Sequence, residues 1–187
     1  MFKRALLFFI LVFLMVAISG CGGYYAGRLP SNYVEDYVDA VNLNGVSVAV
    51  KFFDYDEASE IFSCDMRGRE IQPVFIVIDN KSDVAYGFRK ASVEPNYIYA
   101  EEAARKCARN QWIHAGPWPP LHVRIIKINN KIRKDYLAKE IVDVSVDPNS
   151  DISGVMFIHP LASGEKFSIP LINRKNGNKL VFEFQNQ

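Results

Sequence analysis

The sequence predicts a mainly β chain folded as an antiparallel sandwich with short inserted helices, and three observations carry that prediction. Apolar residues alternate with polar ones over several short stretches, the two-residue period of strands with one buried face. Clusters of Gly, Pro, Asn and Asp separate those stretches. No regular succession of strand and helix, the mark of a parallel sheet, runs through the chain.

Val46, Val48, Val50 and Phe52 alternate with Ser47, Ala49 and Lys51 and predict the first strand. Asp54 follows as an N-cap for a one- or two-turn helix in which Ala58, Ile61 and Phe62 share a face, ending near Cys64. Pro73 leads into Val74-Phe75-Ile76-Val77-Ile78, apolar on both faces as a central strand requires, and Asp79 to Asp83 supplies the exit turn. Val84 to Arg89 and Ser92 to Tyr99 are weaker strands, the second interrupted by Pro95. Glu101 to Arg109 reads as a helix with acids at its start and bases at its end, matching the helix dipole.

Asn110 to Leu121 holds Trp112, Trp118 and three prolines, which argues against a regular element and predicts an ordered loop. Val123 to Ile128 reads as a strand. Lys131 to Ile141 reads as a helix, because Ile132, Tyr136, Leu137 and Ile141 fall on one side at 3.6 residues per turn. Four strands then follow, carried by Val142, Val144 and Val146, by Val155 to Ile158, by Phe167, Ile169 and Leu171, and by Leu180, Phe182 and Phe184. Asn176-Gly177 predicts a type I′ hairpin turn, and Pro170 is expected on an edge strand.

The first 20 residues are of another kind. Met1-Phe2-Lys3-Arg4 precedes an unbroken apolar run from Ala5 to Ile18, the charged start and apolar middle of an export signal. That run is shorter than the roughly 20 residues a membrane-spanning helix needs, which favours removal over permanent residence. It ends in Ile18-Ser19-Gly20-Cys21, which resembles the lipobox of bacterial lipoproteins. The resemblance implies a diacylglycerol on Cys21, cleavage between Gly20 and Cys21, and a further acyl chain such as palmitate on the freed amine. Gly22 stands where lipoproteins retained at the inner membrane commonly carry Asp, so the same resemblance implies an outer-membrane lipoprotein facing the periplasm in a two-membrane organism. The expected organisation is a signal over 1–20, a lipidated N-terminus and tether over 21–44, and a sandwich domain over 45–187 with a helical insertion at about 101–141.

An apolar strand running into Asn and turn residues, as in Val74 to Asp83, and a later Asp147-Pro148-Asn149-Ser150 before the Gly-Val-x-Phe strand of Gly154 to Phe157 resemble the immunoglobulin-like domains of some bacterial lipoproteins. The likeness is loose, covers residues 45–184 and departs by an insertion of about 50 residues with two helices. It implies an immunoglobulin-like sandwich and no particular activity.

Cleavage would leave 167 residues, enough for a single core. That body would carry 20 basic and 21 acidic side chains, a balance that gives no electrostatic reason to expect a nucleic acid. Cys64 and Cys107 would be its two remaining thiols, in an oxidising compartment where they can pair. The alternative for Cys107 is a small buried residue beside Ala103, Ala104 and Ala108.

No Gly-x-Ser-x-Gly elbow, phosphate-binding glycine loop, His-Glu-x-x-His or Cys-x-x-Cys pair appears, so neither a catalytic group nor a cofactor is predicted. His114 and His122 flank the Trp-Pro-Pro loop at a spacing foreign to compact zinc motifs and read as solvent-facing loop residues. Asp54, Asp56 and Glu57 read as helix capping in preference to a calcium loop. Lys127, Lys131, Arg133 and Lys134 form a basic cluster, either a solvated helix face or a contact for anionic lipid heads. Trp112 and Trp118 are the candidate partner contacts, with capping of the sandwich core as the competing role.

The expected function is a membrane-anchored envelope module that binds an envelope protein, peptide or glycan without catalysis. The alternative is a periplasmic hydrolase or metal-dependent enzyme using His114, His122 or His159 with Asp143.

Overall fold

The computed structural model describes residues 24–94, 97–110 and 119–186. The strands are β1 (Val41–Leu43), β2 (Val46–Phe52), β3 (Gln72–Asn80), β4 (Tyr86–Phe88), β5 (Tyr97–Ile98), β6 (Val144–Val146), β7 (Ser150–Ile158), β8 (Lys166–Asn173) and β9 (Lys179–Gln185). The helices are α1 (Tyr55–Phe62), α2 (Ala100–Cys107) and α3 (Pro119–Lys139). Two antiparallel sheets stack as a sandwich, one ordered β1-β2-β3-β7-β5 and the other β6-β4-β8-β9. The chain is therefore the mainly β antiparallel sandwich that its alternating stretches predict.

Two cores explain the residue pattern. Val48, Ile76 and Met156 of the five-stranded sheet meet Phe167, Ile169 and Phe182 of the other, all buried between the sheets. On the far face of the five-stranded sheet, Phe75, Val77 and Phe157 are covered by Phe62 of α1, Ala103 and Ala104 of α2, and Ile128, Ile132 and Tyr136 of α3. The molecule thus has three layers: helices, central sheet and outer sheet. β3 is apolar on both faces because each face meets a different layer. In the helical layer Phe62, Tyr136 and Phe157 pack ring against ring with centroids 5.0 to 5.3 Å apart.

Two residues stitch the layers. Asn80, fully buried at the end of β3, donates through Nδ2 to the carbonyls of Val84, Val146 and Asp147 at 2.8, 3.0 and 3.1 Å. Its Oδ1 accepts from the Ser82 N–H and hydroxyl, so one side chain closes the β3–β4 turn and holds the end of β6. Gly154 lies where the chain leaving α3 passes β7, with the Ile141 N–H donating to the Val155 carbonyl at 3.0 Å. A Cβ at Gly154 would lie 2.7 Å from the Ile141 backbone, so only glycine admits this approach.

Four sequence readings are corrected. Val123 to Ile128 is helix, part of the 21-residue α3, which also takes in Pro119 to Leu121 of the expected loop. Prolines are tolerated there because the first helical turn has N–H groups without intrahelical acceptors. The Asn176-Gly177 turn is not type I′, because Gly177 takes a positive φ of 75° and Asn176 does not; a wider loop closes through Asn173 N–H to Asn178 O at 2.8 Å. β8 is an interior strand, yet Ser168 and Arg174 donate to Glu94 and Ala85, which places Pro170 in the gap after β4 has ended and where no donor is required. Finally, strand pairing begins at β1, and Val34 is buried, so the described part of 21–44 lies on the domain and does not hang free of it. The expected interruption at Pro95 lies outside the described residues.

Candidate functional site

A highly charged concavity forms where two short helices end together. Asp54 caps α1, its Oδ1 accepting from the Glu57 N–H at 2.7 Å, and Ser63 ends the helix in the left-handed conformation at φ 48°. That turn aims Cys64 at α2, whose last turn carries Arg105 and Lys106 as the helix dipole favours. Cys64 and Cys107 form a disulfide with their Cα atoms 5.6 Å apart.

Beside this bond opens a cavity of about 610 Å³, lined among others by Ser63, Asp65, Arg69, Arg105, Lys106 and Arg109. Four cationic side chains thus face one carboxylate across a site of small-ligand size. Asp65 is turned to its own loop, its Oδ1 accepting from the Gly68 N–H at 3.0 Å. At the rim Asn129 of α3 clamps the chain: its Oδ1 accepts from the Arg109 N–H at 2.8 Å, and its Nδ2 donates to the Arg109 carbonyl at 3.0 Å. The Trp-Pro-Pro segment begins directly after this clamp. Trp112, Trp118 and His114 lie outside the described residues, as do the signal over 1–20, Gly20 and Cys21.

The segment after Cys21 is fastened to the same helical layer. Tyr24 donates its hydroxyl to the Asp135 carboxylate, which also pairs with Lys139. The Ser63 hydroxyl donates to the Tyr25 carbonyl at 2.6 Å, and the Gly27 N–H to the Ile61 carbonyl at 2.9 Å. Gly27 is needed there, since a Cβ would sit 2.5 Å from the Ile61 Cα. Burial, with the Asp135 carboxylate adding to it, raises the Tyr24 phenol well above its ordinary range; burial does the same for Tyr136.

The other predicted groups serve local structure or stand apart. His122 is half-buried on α3, whereas exposed His159 follows β7 at the end of the central sheet. Asp143 accepts from the Lys90 N–H at 2.8 Å, fixing the turn at Lys90–Ser92. Next to it Lys90 and Glu140 form a nearly buried pair at 2.8 Å below Tyr97 and Tyr99. The hydrogen bond to Tyr99, ahead of burial, pushes the Tyr97 phenol up to about 12. Among the described residues no cluster of three His, Cys, Asp or Glu could hold a metal ion, and no helix is long and apolar enough to cross a membrane.

The sequence reading leaves the Cys64–Cys107 pairing open, has Arg109 only as the basic end of a helix, and overlooks Arg69 and the Asn129 clamp. Arg105 and Lys106 were legible only as helix-end charges; nothing local signals Arg69, which reaches the cavity from a separate turn. Comparison with protein-family models, with characterised proteins and with solved structures finds no match to this chain.

Proposed function

We propose that the chain is a lipid-anchored protein of the bacterial cell envelope whose folded body binds an envelope partner without catalysing a reaction. The anchor is Cys21, freed by cleavage after Gly20 and acylated; the lipobox Ile18-Ser19-Gly20-Cys21 at the end of an apolar run too short to span supports it. In a two-membrane organism Gly22 points to the outer membrane, facing the periplasm.

The observation that carries the binding role is the basic cavity beside Cys64 and Cys107, lined by Arg69, Arg105, Lys106 and Arg109. Arginine and lysine around a concavity recognise carboxylates and phosphates, while tryptophans beside prolines contribute contact area at little entropic cost. An acidic segment of an envelope protein or an anionic glycan fits that chemistry. A disulfide suits the oxidising space outside the cytoplasm.

Two measurements test this reading. The intact mass of membrane-extracted protein should correspond to a chain that starts at Cys21 and carries acyl groups. A photo-reactive residue at position 106 should crosslink an envelope component in intact cells, and Arg105→Glu with Arg109→Glu should abolish a crosslink formed from position 65. A start elsewhere than Cys21 removes the anchor, and an undiminished crosslink in the charge-reversed protein removes the cavity as the binding site.

A further inference from the structure

α3 covers the central sheet with one face and turns the other outward. Ile125, Ile128, Ile132 and Tyr136 are buried at helical spacing. On the opposite side Val123, Ile126 and Leu137 stand 53, 44 and 38 % exposed, flanked by the exposed Lys127, Lys131 and Lys134. Arg133 belongs elsewhere, bound through Nε to both Glu101 carboxylate oxygens at 2.6 and 2.8 Å. None of the ion pairs among the described residues uses Lys127, Lys131 or Lys134. The outer face thus carries apolar residues near both ends of the helix, Val123 and Ile126 at one and Leu137 at the other, alongside three lysines, a mixture that suits contact with lipid headgroups.

The place where the anchor joins the body supplies the second observation. Tyr24 is bonded to Asp135 of this same helix, and Asp135 lies one turn from Lys131 on the same flank. Two residues, Gly22 and Gly23, separate Tyr24 from Cys21, a reach of at most about 10 Å. Acyl chains on Cys21 would therefore enter the bilayer on the side of the body to which Tyr24 is bound, the side that carries α3.

We propose that the outer face of α3 lies on the anionic lipid surface of the membrane in which Cys21 is anchored. Val123, Ile126 and Leu137 settle among the headgroups, and Lys127, Lys131 and Lys134 meet lipid phosphates. This orients the body with its helical layer toward the membrane and its four-stranded sheet away from it. The inference rests on the lipid-anchor reading of Cys21.

The test uses the mature acylated protein in vesicles of equal parts phosphatidylcholine and phosphatidylglycerol, probed with an amine-reactive label. Labelling of Lys127, Lys131 and Lys134 should be about tenfold slower than in pure phosphatidylcholine vesicles, while Lys175 in the β8–β9 loop reacts equally in both. High salt, which shortens the Debye length to about 3 Å at 1 M, should restore the faster rate. Lys127→Glu with Lys131→Glu should return Lys134 to the rate of Lys175 without changing the melting temperature. Equal labelling of the α3 lysines on neutral and anionic vesicles by protein whose mass shows acylation overturns this orientation alone. A chain without acyl groups overturns the anchor and the orientation together. Protection that persists in neutral detergent micelles would assign the face to a second copy of the chain and overturn the lipid contact.

Discussion

At the scale of single residues, the molecule depends on a few polar groups placed where nothing else could satisfy the backbone. Asn80 has no exposed surface, and its amide spans three carbonyls from two different turns. An aliphatic residue of any size there would strand those acceptors away from water. Replacing it with alanine should cost about 3 kcal/mol, from unsatisfied buried groups together with the lost bonds. The midpoint of urea denaturation reads this directly; a loss under about 0.5 kcal/mol would show that water substitutes for the amide. The sequence marks Asn80 only as one of several turn residues. Its role depends on Val146 and Asp147, which lie 66 and 67 positions away and meet it only once both sheets have formed.

At the scale of elements, strands were legible and one helix was half misread. Phe167, Ile169 and Leu171 are buried in alternation within β8, as their spacing says. The stretch Val123 to Ile128 reads as a strand because β-branched residues occupy its outer face as well as its inner one, which erases the 3.6-residue period over so short a window. Only the continuation through Ile132 and Tyr136 restores it. The two readings separate experimentally. In a helix Ile125 is buried and Val123 exposed, whereas in a strand the two would share a face, so Ile125→Ala should cost about 3 kcal/mol and Val123→Ala no more than about 0.5. Comparable losses at both positions would argue against α3 as it stands here.

The Cys64–Cys107 bridge acts at the same scale, because it joins the ends of two helices that share no hydrogen-bonded ladder. Its 43-residue separation means that cross-linking removes about 4 kcal/mol of loop entropy from the unfolded chain. Cys64→Ala with Cys107→Ala should therefore lower the melting temperature by several degrees. Reduction of the native protein should give the same shift, and no further loss in the double variant. A reduced protein as stable as the oxidised one would show that the helical layer is held by packing alone. Sequence left this pairing open, because whether two cysteines meet depends on how α1 and α2 cross the central sheet, and no local period records that.

For the whole molecule, the central question is how the body is joined to the segment that follows Cys21. Composition alone reads residues 22–44 as a tether, since Gly and Tyr there show no period. In the folded protein Tyr24, Tyr25 and Gly27 are each bonded to the helical layer, so the stretch from Tyr24 to Gly27 is held against the body. This joint has a pH signature. The phenols of Tyr24 and Tyr136 titrate in the folded state above their ordinary value of 10.0. Between the unfolded and folded values the native state therefore holds more protons than the unfolded one, and stability falls as pH rises. The contribution of both rings is complete below about pH 10 and is lost progressively above it. Tyr24→Phe deletes one of these titrating groups while sparing Tyr136. Its stability should be lower than that of the native protein at pH 8, because the Asp135 bond is gone, but should decline less between pH 8 and pH 11. Denaturant midpoints at the two pH values decide the matter. Parallel declines in the two proteins would mean that Tyr24 does not fasten the N-terminal segment to α3.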